Sequence, residues 1–271
     1  RLSDTVAAAC EGPATEDGPG DGRITPACLE EALAAAPRGR RPGPDGLPYE
    51  FYAAFWGVLG EHLVAALEEA FADSADPAAL PADMTAGIIT LIYKGDKKPR
   101  SDPASYRPIT LLNCDYKLAA RVLGQRMGAA LNAVVDTTQT AFLPGRWIGD
   151  NVLFHLQEVD YLESSNQPGI ILFLDFEKAY DRVDRGWLHR CVADFGFRAG
   201  TQRWVRLLLS GTTASVAYNG FRTASFPVAS SVQQGSPLST VLYVLQAQPL
   251  ASRLRQLQRQ GLVRGITDRK S

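Results

Sequence analysis

Asp175 closes the run Gly169-Ile170-Ile171-Leu172-Phe173-Leu174-Asp175, and a carboxylate placed there can ligate a hard cation or cap the turn that follows. Five consecutive apolar residues after Pro168-Gly169 predict a strand buried on both faces. Such a strand can end in an aspartate only where its tip reaches water, a cation or a metal. Magnesium suits the position, because it takes oxygen ligands and fills its shell with waters and substrate phosphates. If the strand continues, Glu177 falls on the same face two residues on, while Lys178 and Tyr180 face away or enter a turn. By itself the segment leaves the ligand and the cap both open.

Two further segments carry polar chemistry. Ser231-Val232-Gln233-Gln234-Gly235-Ser236-Pro237-Leu238-Ser239 sets a glycine loop before a helix opening with Pro237, and its amides and short side chains could line a groove or a nucleotide. In Ser105-Tyr106-Arg107-Pro108-Ile109-Thr110-Leu111-Leu112-Asn113, Arg107 starts a strand beside the basic turn Lys94 to Lys98. An arginine there can clamp a triphosphate, although surface hairpins carry Lys and Arg routinely. Cys10, Cys28, Cys114 and Cys191 form no Cys-x-x-Cys pair, and His62, His155 and His189 offer no paired spacing, which argues against zinc. A Ser/His/Asp hydrolase would need a Gly-x-Ser-x-Gly turn, which is missing.

With 271 residues, 45% of them hydrophobic, the chain can bury a sizeable core as one large domain or two packed subdomains. The net charge of -1 hides two opposite parts: residues 1–80 hold 14 Asp/Glu against 5 Lys/Arg, and the remainder holds 15 against 23, net +8. Of the 28 basic residues 22 are Arg, suited to phosphate, though base composition of the gene can have the same effect. No apolar run approaches the roughly 18 residues of a membrane span. The start Arg1-Leu2-Ser3-Asp4 has neither an initiator Met nor a signal, so the chain is expected to begin within a longer protein, intracellular and with reduced thiols.

Residues 1–24, rich in Gly, Pro and Asp, read as a tail or linker. Thr25 followed by Pro26 predicts a capped helix start, ending near Pro37. Arg38-Gly39-Arg40-Arg41-Pro42-Gly43-Pro44-Asp45-Gly46 must be a loop, one basic enough to meet solvent or phosphate. Apolar residues from Pro48 to Ala72 predict two helices interrupted around Gly57 and Gly60. A hairpin over 85–93 and 106–112 with a basic tip should precede helices over 114–134 and 150–163, then the buried strand 169–175. Helices near 185–195 and 200–210, a hairpin turning at Asn219-Gly220 and a long helix from Pro237 to about Gln260 complete the expectation.

In order, Gly43-Pro44-Asp45-Gly46, Ile92-Tyr93-Lys94, Tyr106-Arg107-Pro108-Ile109, Gln139-Thr140-Ala141-Phe142, Asp175 to Asp181, and Gln234-Gly235-Ser236-Pro237-Leu238-Ser239 resemble the reverse transcriptase domain of non-LTR (LINE-type) retrotransposons, over about residues 38–271. The resemblance implies an α+β right-hand fold, helix-rich with a small antiparallel sheet. An N-terminal extension and fingers would occupy 25–168 and part of a palm 169–271. It implies an RNA-directed DNA polymerase using two magnesium ions, with an RNA template, a DNA primer or target and deoxynucleoside triphosphates as partners, acting in the nucleus or cytoplasm.

Carried over by residue, the resemblance makes Asp175 the first palm aspartate and catalytic metal ligand, with the carbonyl of Phe176 beside it. Tyr180 becomes the steric gate against a ribose 2′-hydroxyl. Gln234 and Gly235 lie beside the incoming nucleotide, Arg107 and Lys94 on its triphosphate, and Arg40, Arg41, Gly43, Asp45 and Pro237 along template and primer. Gln233 stands where many members carry Arg, and Ser236 where they carry Cys, so contacts made by that arginine do not transfer. The family's second aspartate motif should follow shortly after Gly265. Its absence before Ser271 leads to the expectation of an incomplete, inactive portion, since two ions need more than one carboxylate. The alternative is a non-catalytic nucleic-acid-binding module derived from a reverse transcriptase.

Overall fold

Thr25 caps the first helix, α1 (Pro26–Ala34): its hydroxyl accepts from the Cys28 amide at 3.4 Å, and Pro26 at the first position costs no hydrogen bond. The structure, a computed structural model, describes residues 23–72, 80–95, 98–166 and 168–265. The expected tail at 1–24 therefore lies almost wholly outside the described residues. After the 38–46 loop come α2 (Tyr49–Ala54) and α3 (Trp56–Ala72), then the short α4 (Ala82–Thr85). The break between α2 and α3 falls at Phe55, not at the glycines expected to cause it. Gly60 is helical and gives room to an indole, because a Cβ there would meet the Trp56 ring at 3.0 Å.

β1 (Ala86–Tyr93) and β2 (Tyr106–Leu112) form the expected antiparallel hairpin, with Gly87 opposite Leu112 and Tyr93 opposite Tyr106. β3 (Thr213–Tyr218) joins the other side of β1 in parallel, and β4 (Phe221–Arg222) and β5 (Phe226–Pro227) both pair antiparallel with β3. The sheet, in the order β2-β1-β3-β4, is small as expected but mixed rather than purely antiparallel, and it unites strands from before and after residue 169. Asn219 and Gly220, at φ 48° and 81°, make the two-residue turn that their types demand.

The core is organised around α5 (Cys114–Val134), whose Leu118, Met127 and Leu131 are fully buried and whose Tyr116 hydroxyl donates to the Leu208 carbonyl at 2.9 Å. α1, α8 (Ala199–Leu209) and α9 (Ser239–Arg259) pack against it, and α7 (Arg185–Asp194) packs on α8 and α9. Gly124 lets the turn before α9 come close: a Cβ there would lie 3.3 Å from the Pro237 carbonyl. α6 (Gly149–Ser164) buries none of its residues. No helix among the described residues is long and apolar enough to cross a membrane.

The strand expected over 169–175 does not form. Residues 168–176 have no regular structure, and the apolar side chains are exposed, Ile170 at 95%. A strand needs a hydrogen-bonded neighbour as well as apolar residues, and no described strand lies beside this segment. Among the described residues it lies against α6: Phe173 meets His155 edge-on at 5.1 Å, and Gly169 sits against Leu162.

Candidate functional site

Two glycine loops dock on the C-terminal half of β2. The Thr110 amide donates to the Gln234 carbonyl at 2.7 Å along the free edge of that strand. Gly235 follows at φ +128°, where a Cβ would lie 2.2 Å from the Thr110 carbonyl oxygen, so the chain can pass only as glycine. Three residues on, just past the end of the strand, a Cβ on Gly43 would lie 2.2 Å from Asn113 Oδ1. Asn113 also accepts from the Asp45 amide at 3.2 Å and donates to the Asp83 carbonyl at 2.8 Å. The Asp45 carboxylate accepts from the Leu47 amide at 3.0 Å, a local turn. Gly43 and Asp45 thus anchor the loop, which leaves Arg40 and Arg41 exposed.

Asp45 also bears on Asp115 in the first turn of α5. Burial chiefly, and then the Asp45 charge, push the Asp115 carboxyl up to about 6, against a hydrogen bond from the Tyr116 amide. A raised carboxyl favours the folded state when protonated, so its contribution is present at pH 4 and lost as pH rises through 6. Asp115→Asn is therefore expected to stabilise the protein at pH 8 by about 1–2 kcal/mol, after discounting for partial exposure, and to give little at pH 4. Thermal melts of both proteins at the two pH values check this.

Tyr180, Gln234, Gly235, Ser236, Ser239 and Thr240 line one cavity of about 370 Å³. Its aromatic wall, Tyr180, is backed by Tyr243 of α9, stacked on it at 4.9 Å with an interplanar angle of 14°. Burial raises both phenols, and the Asp175 carboxylate raises Tyr243 further. The Val232 amide donates to the Tyr180 carbonyl at 3.1 Å and the Ser231 amide to that of Val183 at 2.9 Å, so the segments 180–183 and 230–235 are laced together. Tyr243 was not singled out from sequence, yet it lies four residues after Ser239 and therefore on the same helix face. Gln233 is buried with neither amide atom bonded.

Asp175 is exposed at the end of its unpaired segment, and the chain then turns instead of continuing, so Glu177 does not join it. Glu177 pairs with Arg182 at 2.8 Å in solvent. Among the described residues no group of three His, Cys, Asp or Glu could hold a metal ion. Asp175, with the Phe176 carbonyl, could supply part of one magnesium shell but not the bridging set for two ions. Arg107 is exposed three residues before Thr110, about 10 Å along β2 from the Gly235 contact. Lys94 donates to the Ala104 carbonyl at 2.8 Å and holds its own hairpin. Pro237 is half-buried, packed towards Gly124 and not presented to a groove.

Residues 94–263 match the family model described as Reverse transcriptase (RNA-dependent DNA polymerase). Over 228 residues the chain is 32% identical to the "Transposon TX1 uncharacterized 149 kDa protein" of Xenopus laevis, covering 84% of this chain and 17% of that protein. It is 30% identical over 150 residues to the "Retrovirus-related Pol polyprotein from type-1 retrotransposable element R1" of Bradysia coprophila, covering 55% and 14%. To the "Probable RNA-directed DNA polymerase from transposon X-element" of Drosophila melanogaster it is 29% identical over 167 residues, covering 59% and 18%. The chain spans less than a fifth of each of these three relatives. The family match covers most of the chain and includes every wall of the Tyr180 cavity, so the chain belongs to the reverse transcriptase family, with its relatives among non-LTR retrotransposons.

Proposed function

We propose that this chain forms the nucleotide-selecting part of an RNA-directed DNA polymerase that copies a retrotransposon RNA, primed by DNA, inside the cell in nucleus or cytoplasm. One observation carries the reading: Tyr180, Gln234 and Gly235 line one cavity, and the Asp175 charge acts on Tyr243, the ring stacked on Tyr180. The stacked Tyr180–Tyr243 pair is a rigid floor, and a rigid ring under C2′ of an incoming nucleotide leaves no room for a hydroxyl. Arg107, exposed at the start of β2, is available to the triphosphate. Bound magnesium would stabilise charge developing on the transferred phosphoryl group and the leaving pyrophosphate. Asp175 is the candidate ligand among the described residues.

The test is magnesium-dependent primer extension on an RNA template. In the whole protein, Asp175→Ala is expected to lower synthesis by roughly a thousandfold or more, and Tyr180→Val to admit ribonucleotides without abolishing synthesis. Residues 1–271 alone should give no robust extension, since one candidate carboxylate cannot hold two ions. Full activity of the Asp175→Ala protein would overturn the assignment. That single carboxylate is also the observation favouring the second reading, binding without synthesis, which an inactive wild-type whole protein with intact RNA binding would support.

A further inference from the structure

Aromatic side chains from four adjacent strands share one face of the sheet at its hairpin end. Tyr93 of β1 stands opposite Tyr106 of β2. The parallel register that sets Thr90 beside Ala217 puts Tyr218 of β3 next to Leu91, whose side chain shares the face of Tyr93, and Phe221 of β4 stands opposite Tyr218. Ring centroids are 5.5 Å apart from Tyr93 to Tyr106 and 6.3 Å from Tyr106 to Tyr218, so the rings touch in sequence across the strands. Arg107 points to the opposite face, and the row is separate from the Tyr180 cavity.

The inner and outer members differ. Tyr93 donates its hydroxyl to the Lys98 carbonyl, Tyr106 donates to that of Arg100 at 2.9 Å, and the Arg100 guanidinium covers the Tyr93 ring at 4.9 Å. Those two rings are held. Tyr218 and Phe221 are exposed at 49% and 82%, presented by the tight Asn219-Gly220 turn. Burial in the core does not account for a phenylalanine in water at a hairpin tip. Among the described residues, the exposed cations Lys98 and Arg100 lie beside the inner rings and Arg222 follows Phe221 in sequence, while Asp102 accepts from the Ala104 amide at 2.8 Å.

We propose that this row is a stacking platform for the unpaired bases of a single-stranded nucleic acid, with Tyr218 and Phe221 under the bases and Lys98 and Arg100 on the phosphates. Flat rings take any base, because every base has a π face, and adjacent cations follow the backbone. An aliphatic patch would serve a protein partner equally well; an aromatic row with a guanidinium at its end fits bases and phosphates. The proposal rests on the nucleic-acid-handling reading above but not on the Tyr180 cavity.

The experiment measures fluorescence anisotropy of a labelled twelve-residue oligoriboadenylate and of a strand of equal length carrying the same phosphates without bases. The base-bearing strand is expected to bind the wild-type chain roughly tenfold more tightly. Phe221→Leu and Tyr218→Leu should each remove several-fold of that preference and leave the abasic strand unchanged. Phe221 is so exposed that its replacement by Leu leaves the fold standing. Equal affinity for the two strands, or a loss shared by both strands in the Phe221→Leu protein, overturns the platform while leaving the polymerase reading intact. Absence of salt-sensitive binding to either strand overturns both.

Discussion

Gly235→Ala is expected to abolish the nucleotide binding proposed for the Tyr180 cavity and to cost about 3 kcal/mol or more of stability. Two separate effects add at this position. The backbone angle of +128° lies where an L side chain is strained, a cost on the order of 1–3 kcal/mol. The new methyl would also lie 2.2 Å from the Thr110 carbonyl oxygen, a backbone atom that cannot swing aside, so the loop must leave β2. The Thr110–Gln234 hydrogen bond of 2.7 Å is then lost, and Gln234 no longer faces Tyr180. Gly220→Ala is the control: its angle of +81° is also left-handed, but nothing lies within 4 Å, so only strain of about 1 kcal/mol remains. Thermal melts and nucleotide-binding titrations of the two variants separate the effects. Equal losses in both would sink the claim that contact with β2 fixes the loop.

Local chemistry explains which parts of this fold were legible in sequence. Thr25-Pro26, the Asn219-Gly220 turn and the helix 114–134 each carry their own start or turn signal, and each forms where expected. The parallel pairing of β1 with β3 joins residues far apart in sequence, and no local pattern encodes a neighbour. The same reasoning explains the error at 169–175. Five apolar residues state that a segment should be buried, not which strand will lie beside it. Gly57 and Gly60 were misread as breakers because propensity was weighed without packing, whereas Gly60 makes room for Trp56. In the site, the residues brought by family pattern, Tyr180, Gln234 and Gly235, do converge; Tyr243 backs the Tyr180 ring from a helix whose facing surface only the tertiary fold defines.

Arg185→Met should destabilise the protein by about 2–3 kcal/mol and weaken the nucleotide cavity from a distance. The guanidinium of Arg185 donates to the Ser231 carbonyl at 3.2 Å, to the Leu209 carbonyl and to Thr212 Oγ1 at 3.0 Å, tying the start of α7 to the end of α8 and to the loop that leads into Gln234. Burial lowers its pKa, and the three acceptors are neutral, so its charge is held by dipoles alone. A planar fork reaches three acceptors at once, which an ammonium cannot, so Arg185→Lys should recover little. Two of the acceptors, Leu209 and Thr212, border an open cavity of about 400 Å³, where water can replace part of what is lost, and this keeps the cost below that of a sealed site. His189 in the same cavity reports the change. Burial first, and then the charges of Arg206 and Arg185, hold its pKa below the usual histidine range. A depressed histidine adds stability that is present above pH 6.5 and lost as pH falls below it. Removing Arg185 is therefore expected to raise the His189 pKa and to flatten the acid limb of the stability profile. NMR titration of the imidazole together with melts between pH 5 and 8 measures both. An unchanged His189 titration in a destabilised Arg185→Met protein would mean that the arginine acts as a mechanical strut and exerts no field in this cavity.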